Sequence, residues 1–138
     1  PERAALEAQI AVWALAGAVR LLGHRDNVYP CLRRADVFIH TCQFEGFGYT
    51  MLEALACGTA VVATDCPYGP REVLGGGKYG VLTPLADSAA LAAAVLRLLA
   101  DPTGRQALAA RGLERARELS VQRMARAYET EFLKLAAE

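Results

Sequence analysis

Three short runs constrain this chain more than anything else in it: "DVFIHT" (36–41), "TAVVAT" (59–64) and "VLTP" (81–84). Each is rich in β-formers and almost unbroken in apolar character. A strand with one wet face alternates apolar and polar residues, whereas a continuously apolar strand is buried on both faces. Between and after these runs the apolar residues recur at helical spacing. Strands that alternate with helices and are buried on both sides specify a parallel α/β sheet with helices on each face.

The remaining elements fit that plan. Residues 3–16 read as a helix, with Leu6, Ile10, Trp13 and Ala14 at helical spacing and Gly17 ending it. "AVRLLG" (18–23) reads as a further strand, and 27–35 as a turn into a short helix with Pro30 near its start. A helix is expected from about Phe47 to Cys57, where Gly58 suits a left-handed C-terminal cap. "PREVL" reads as a short helix started by Pro70, and 75–80 as a turn. Helices follow at 88–100, 103–117 and 121–137, the last with Ser120 as N-cap. Its apolar face is Val121, Met124, Tyr128, Phe132 and Leu135. The chain of 138 residues is the size of one domain, so 1–138 is read as a single unit.

Composition removes several functions. Fifteen basic and fifteen acidic residues cancel, and nothing in that balance points to nucleic acid. Apolar runs are too short to span a bilayer. Cys31, Cys42, Cys57 and Cys66 form no C-x-x-C pair, and the only histidines are His24 and His40. No metal site is expected, and the cysteines read as reduced thiols packed as small hydrophobes in a cytoplasmic protein.

Parallel sheets bind ligands beyond the carboxyl ends of their strands. The loops "GHRDN", "CQFEGFG" and "DCPYGP" should share that edge. In "QFEGFGYTMLEALACG", Gly46 and Gly48 sit where a strand turns into a helix and would let backbone N–H groups approach a ligand. The helix start lacks a good capping side chain, and its free N–H groups and dipole suit a phosphate, with Thr50 in the first turn as support. Glu45 precedes the helix, and Glu53 lies roughly 9 Å along its axis at ~1.5 Å per residue. A carboxylate takes two hydrogen bonds from adjacent hydroxyls, so a ligand with a central pyrophosphate and a sugar at each end fits both. On spacing alone, Glu53 reads equally well as a solvated helix charge. "GGGKYG" (75–80) matches G-x-G-x-x-G but follows a helix and precedes a strand, the reverse of the dinucleotide fingerprint.

The stretch "FEGFGYTMLEALACGTAVVATDCPYGPREVL" resembles the signature region of glycosyltransferase family 4, the group 1 enzymes. The Glu45 and Glu53 spacing, "LEALACG" and "AVVATD" occur in the family's order, flanked by "VRLLGHRDNVYPCLRRADVFIHT" and "GVLTPLADSAALAAAVLRLLADP". The resemblance runs from about Val19 to Phe132. It implies a Rossmann-like α/β domain, the C-terminal, donor-binding half of a GT-B retaining glycosyltransferase. Such an enzyme moves a hexose-type sugar from a nucleotide sugar to an acceptor hydroxyl in glycan, lipid or polysaccharide synthesis.

By that resemblance Glu45 bonds the transferred sugar and is the catalytic candidate, with Gly46, Phe47 and Gly48 facing the same sugar. Thr50 and Met51 meet the pyrophosphate, Glu53 holds the ribose, and His24 and Arg25 lie against the base. The form "DCPYGPRE", with Glu72, is similar to members that use UDP-sugars. The resemblance implies no metal or other cofactor; its partners are a nucleotide sugar and the acceptor-binding N-terminal domain, with cytoplasmic location and peripheral membrane contact through the parent enzyme. A catalytically incomplete nucleotide-sugar-binding module is the alternative, and a sugar-nucleotide 2-epimerase, sharing fold and ligand, should lack this Glu spacing.

The family's first C-terminal-domain strand, with an Arg and a Lys that neutralise the departing diphosphate, has no counterpart in these 138 residues. Placed cations are a large contribution to such a transition state. The purified 138-residue chain is therefore expected to give no measurable sugar transfer, and turnover in a donor-consumption assay would refute this. An uncovered sheet edge and helix face should also give weak self-association, read as concentration-dependent sedimentation.

Overall fold

The structure is a computed structural model that describes residues 2–137. Its elements in chain order are α1 (Arg3–Val12), α2 (Tyr29–Arg34), β1 (Val37–His40), α3 (Tyr49–Ala56), β2 (Ala60–Thr64), α4 (Pro70–Val73), a 3₁₀ turn (Gly75–Gly77), β3 (Val81–Thr83), α5 (Ser88–Ala100), α6 (Pro102–Glu118) and α7 (Val121–Leu135). The three strands form one parallel sheet in the order β1-β2-β3. This is the expected Rossmann-like α/β architecture, ending in helices.

All five residues of β2 are buried. Because successive side chains of a strand point to opposite faces, β2 supplies two cores. Val61 and Ala63 pack with Leu32 of α2, Met51, Ala54 and Leu55 of α3, and Val73 and Leu74 at the end of α4. Ala60 and Val62 pack on the other side with Ala94, Leu98 and Leu108 of α5 and α6. A β-carbon at Gly112 would lie 2.6 Å from Leu55 Cδ2, so this glycine sets how closely α6 approaches α3.

Helix ends follow local chemistry. Asp87 caps α5 by accepting from Ala90 N–H at 2.8 Å, and Asp101 caps α6 by accepting from Gly104 N–H at 2.9 Å. The end of α3 is the expected left-handed cap: Gly58 has φ 74°, its N–H reaches Leu55 C=O, and Thr59 N–H reaches Ala54 C=O. Arg115 of α6 donates to the Glu72 and Val73 carbonyls at the end of α4 at 2.8 and 3.2 Å.

Four expectations are corrected. Residues 18–23 form no strand: the Ala18 and Val19 N–H groups turn back to Leu15 C=O, and no ladder pairs the rest. The sheet thus has three strands among the described residues, with β1 at one edge and β3 at the other. The first helix stops at Val12 rather than at residue 16. Ala14, at φ 54°, follows the end of the helix in the left-handed region, with Leu15 N–H bonded to Ile10 C=O, so Gly17 does not end it. Helix α3 begins at Tyr49, two residues later than expected, because Gly48 turns at φ 97°. Ser120 flanks α7 in an extended conformation, but its side chain makes no cap hydrogen bond. The apolar face of α7 is exposed throughout its length.

Leu55 has no exposed surface and touches both α6 and the sheet-side core. Leu55→Ala is expected to destabilise the fold by about 2–5 kcal/mol, measured by equilibrium urea unfolding. A loss below about 1 kcal/mol would contradict this packing.

Candidate functional site

The parallel register brings the carboxyl ends of β1 and β2 side by side, with His40 opposite Ala63. The loops that leave these ends are two of the three the sequence singled out; "GHRDN" follows no strand. The β1 loop carries Cys42, Glu45, Gly46, Phe47 and Gly48; the β2 loop carries Asp65, Cys66 and Gly69.

The two loops are clamped together. Thr64 Oγ1 accepts from Cys42 N–H at 3.0 Å and donates to Cys42 C=O at 2.7 Å. Gly69 is buried at φ 53° beneath the β1 loop; a β-carbon there would lie 2.8 Å from both Glu45 Cγ and the Phe47 carbonyl oxygen. The Cys42 and Cys66 sulfurs are 3.1 Å apart, and both are free thiols. Burial, with the adjacent Cys42 thiol, pushes the Cys66 thiol up to about 11. Cys66 thus behaves as the packed hydrophobe expected, whereas Cys31 departs from that expectation and is exposed.

Glu45 is half-buried and oriented. One carboxylate oxygen lies 3.1 Å from His40 Nε2, and the other accepts from Gly46 N–H at 2.9 Å. His40 Nδ1 lies 3.5 Å from Thr50 Oγ1. One tautomer satisfies both contacts: Nε2–H donates to Glu45, and Nδ1 accepts from the Thr50 hydroxyl. Two expected residues, Glu45 and Thr50, are thus joined through His40, which sequence reasoning had not selected. A histidine closing an apolar strand at the ligand edge was the available signal.

Gly48 must be glycine for two reasons: its φ of 97°, and a β-carbon that would collide with the Met51 methyl. Met51 is fully buried, so its side chain packs the core and only its backbone faces the helix start. No side chain caps α3 at Gly48, as expected. Glu53 sits one turn further on, with one oxygen 3.5 Å from the Tyr29 hydroxyl of α2. Nothing in the sequence paired Tyr29 with Glu53.

His24 and Arg25 are exposed, and His24 Nε2 lies 3.4 Å from Asp26. Among the described residues no hydrogen bond joins either to the Glu45–Glu53 stretch. Arg71 forms a two-point ion pair with Asp65, and Lys78 lies over the Tyr79 ring at 4.7 Å. Glu72 is exposed. A cleft of about 680 Å³ opens beside the β1 loop, lined by Thr41–Phe44, Thr64, Pro67, Leu91 and the segment 85–88. Donor atoms of His40, Cys42 and Glu45 lie within 4.8 Å of one another, a cluster that composition did not reveal. A cation there would have to break the His40–Glu45 hydrogen bond.

Comparison with known proteins follows this geometry. Residues 1–101 match the family described as Glycosyl transferases group 1. The chain is 40% identical over 124 residues to a phosphatidyl-myo-inositol mannosyltransferase of Mycolicibacterium smegmatis, covering 84% of this chain and 32% of that protein. It is 32% identical over 108 residues to the N-acetylgalactosamine-N,N'-diacetylbacillosaminyl-diphospho-undecaprenol 4-alpha-N-acetylgalactosaminyltransferase of Campylobacter jejuni, covering 78% of this chain and 30% of that protein. Among solved structures, Anabaena HepE in complex with UDP superposes with a TM-score of 0.83 at 27% identity, over 92% of this chain and 36% of that one. HepE with UDP and glucose superposes at 0.82. Sucrose-phosphate synthase from Thermosynechococcus elongatus gives 0.87 at 31% identity, over 99% of this chain and 35% of that one. The chain spans about a third of the length of these relatives. With this match on top of the sheet, the glycine turn and the paired glutamates, the chain belongs to the group 1 glycosyltransferases and has the fold of their GT-B C-terminal domain.

Proposed function

We propose that this domain binds the nucleotide-sugar donor of a retaining glycosyltransferase, with UDP the favoured nucleotide and a hexose-type sugar transferred to an acceptor hydroxyl. The observation that carries this reading is the arrangement around Gly48. The uncapped start of α3 lies at the carboxyl edge of the sheet, with Glu45 before it and Glu53 one turn inside it. The pyrophosphate sits at the helix start, on the N–H groups of the first turn around Thr50 and Met51. Glu53 accepts the ribose hydroxyls, and Glu45 accepts those of the transferred sugar beside the backbone of Gly46, Phe47 and Gly48.

His40 keeps Glu45 in place by donating to it, and it acts as a positioning residue. The Gly46 N–H already bonds Glu45, so this carboxylate is aimed before a ligand arrives. The UDP bound by HepE supports the nucleotide choice. Arg71 is committed to Asp65 and is a poor substitute for the cations that neutralise the leaving diphosphate. We therefore keep the transfer step with the whole enzyme and donor binding with this chain. His24 and Arg25 reach the base only from their exposed loop. The reading needs no metal. Among the described residues no helix is long and apolar enough to cross a membrane, and we place the parent enzyme in the cytoplasm, peripheral to a membrane that carries its acceptor.

Ligand-observed NMR with UDP-, GDP- and ADP-sugars tests donor binding. Glu53→Ala is expected to weaken UDP binding by about tenfold or more, the cost of at least one charge-assisted hydrogen bond. Glu45→Ala should leave UDP affinity nearly unchanged and remove the added affinity of the sugar. Wild-type binding by both variants would defeat the site assignment. Gly69→Ala should lower Tm and shift the His40 ring resonances, because its β-carbon meets the Phe47 carbonyl and the left-handed φ resists a side chain. Unchanged His40 shifts would mean that Gly69 does not support the Glu45 loop.

A further inference from the structure

Cys42 and Cys66 lie on different loops, yet their sulfurs are in contact at 3.1 Å. The parallel register sets the two loops side by side: His40 is opposite Ala63, and Cys42 and Cys66 lie two and three residues beyond that pair, where the chains have left the ladder. The double hydrogen bond between Thr64 and the Cys42 backbone holds this geometry. Closing the sulfurs to the bond length of about 2.05 Å requires a shift of about 1 Å.

Access to the two thiols is unequal. Cys42 lines the open cleft, whereas Cys66 is 3% exposed. The remaining cysteines sit toward the opposite edge of the sheet: Cys31 on α2, before β1, and Cys57 at the end of α3, before β2. We propose that Cys42 and Cys66 are a redox-active dithiol whose reversible oxidation by a low-molecular-weight disulfide ties the loop carrying Glu45 to the loop carrying Gly69. In the first step the Cys42 thiolate attacks one sulfur of the small disulfide, forming a mixed disulfide and releasing one small thiol. In the second, Cys66 loses its proton and attacks Cys42 Sγ, releasing the other small thiol. Two protein thiols are oxidised, and one small disulfide is reduced to two thiols. The raised pKa of Cys66 fits the second, slower step, with Cys42 as the point of entry.

The bond joins loops already packed on each other, so it constrains the unfolded chain more than it distorts the folded one. This inference stands whether or not the domain binds a nucleotide sugar.

The test is titration of the 138-residue chain with oxidised and reduced glutathione, in EDTA to exclude metal bridging, followed by non-reducing peptide mass spectrometry. The expected product is a monomer two hydrogens lighter, with Cys42 linked to Cys66, a raised Tm, and full reversal by dithiothreitol. Cys66→Ser should stop at the mixed disulfide on Cys42, and Cys42→Ser should leave Cys66 unmodified. A wild-type chain that accumulates glutathione on Cys42 without forming the internal bond overturns the proposal, as does preferential pairing through Cys31 or Cys57. The wild-type measurement alone is decisive, so a variant that fails to fold does not protect the idea.

Discussion

The complete burial of β2 is the constraint on which the rest of this domain depends. A strand with apolar side chains on both faces needs a helical layer on each, and its neighbours must satisfy its backbone groups. β1 and β3 supply the ladders; α3 and α4 cover the face of Val61 and Ala63, and α5 covers that of Ala60 and Val62. Because each crossover returns to the same end of the sheet, the loops after β1 and β2 emerge together. The site is thus a by-product of burying the central strand.

Those two loops behave as one unit. Thr64 grips the Cys42 backbone, Gly69 lies beneath Glu45 and Phe47, and the two sulfurs touch. Binding residues on loops are usually the mobile part of a fold. Here the carboxylate of Glu45 is held by His40 and its own loop, so little ordering cost falls on a ligand that meets it. The Glu53 side is looser: its contact with Tyr29 is 3.5 Å long, and the His24–Arg25 segment is exposed.

Much of the fold was legible because its signals are local. Apolar runs marked β1, β2 and β3, helical spacing marked α5, α6 and α7, and Gly58 marked the end of α3. The errors also have local causes. "AVRLLG" has the composition of a strand but no partner to pair with, and pairing is not a property of the segment. The first helix ends before Ala14 rather than at Gly17 because the hydrogen bonds to Ile10 and Ala11 close there, despite the steric cost of a left-handed residue with a β-carbon.

The sequence by itself determined the three strands that form and most of the helices, that Gly48 and Gly46 open a turn before α3, and that Glu45 and Glu53 flank its start. Those properties depend on residue type and on spacing within a few turns of chain. Only the tertiary structure decided that His40 holds Glu45, that Tyr29 faces Glu53, that Gly69 supports the β1 loop, and that Cys42 meets Cys66. The last two, and the clamp from Thr64, join residues more than twenty positions apart that are brought together by the parallel register of β1 and β2. His40 and Glu45 are close in sequence, but their contact depends on where the loop is pinned, and that pin is Gly69 from the neighbouring loop.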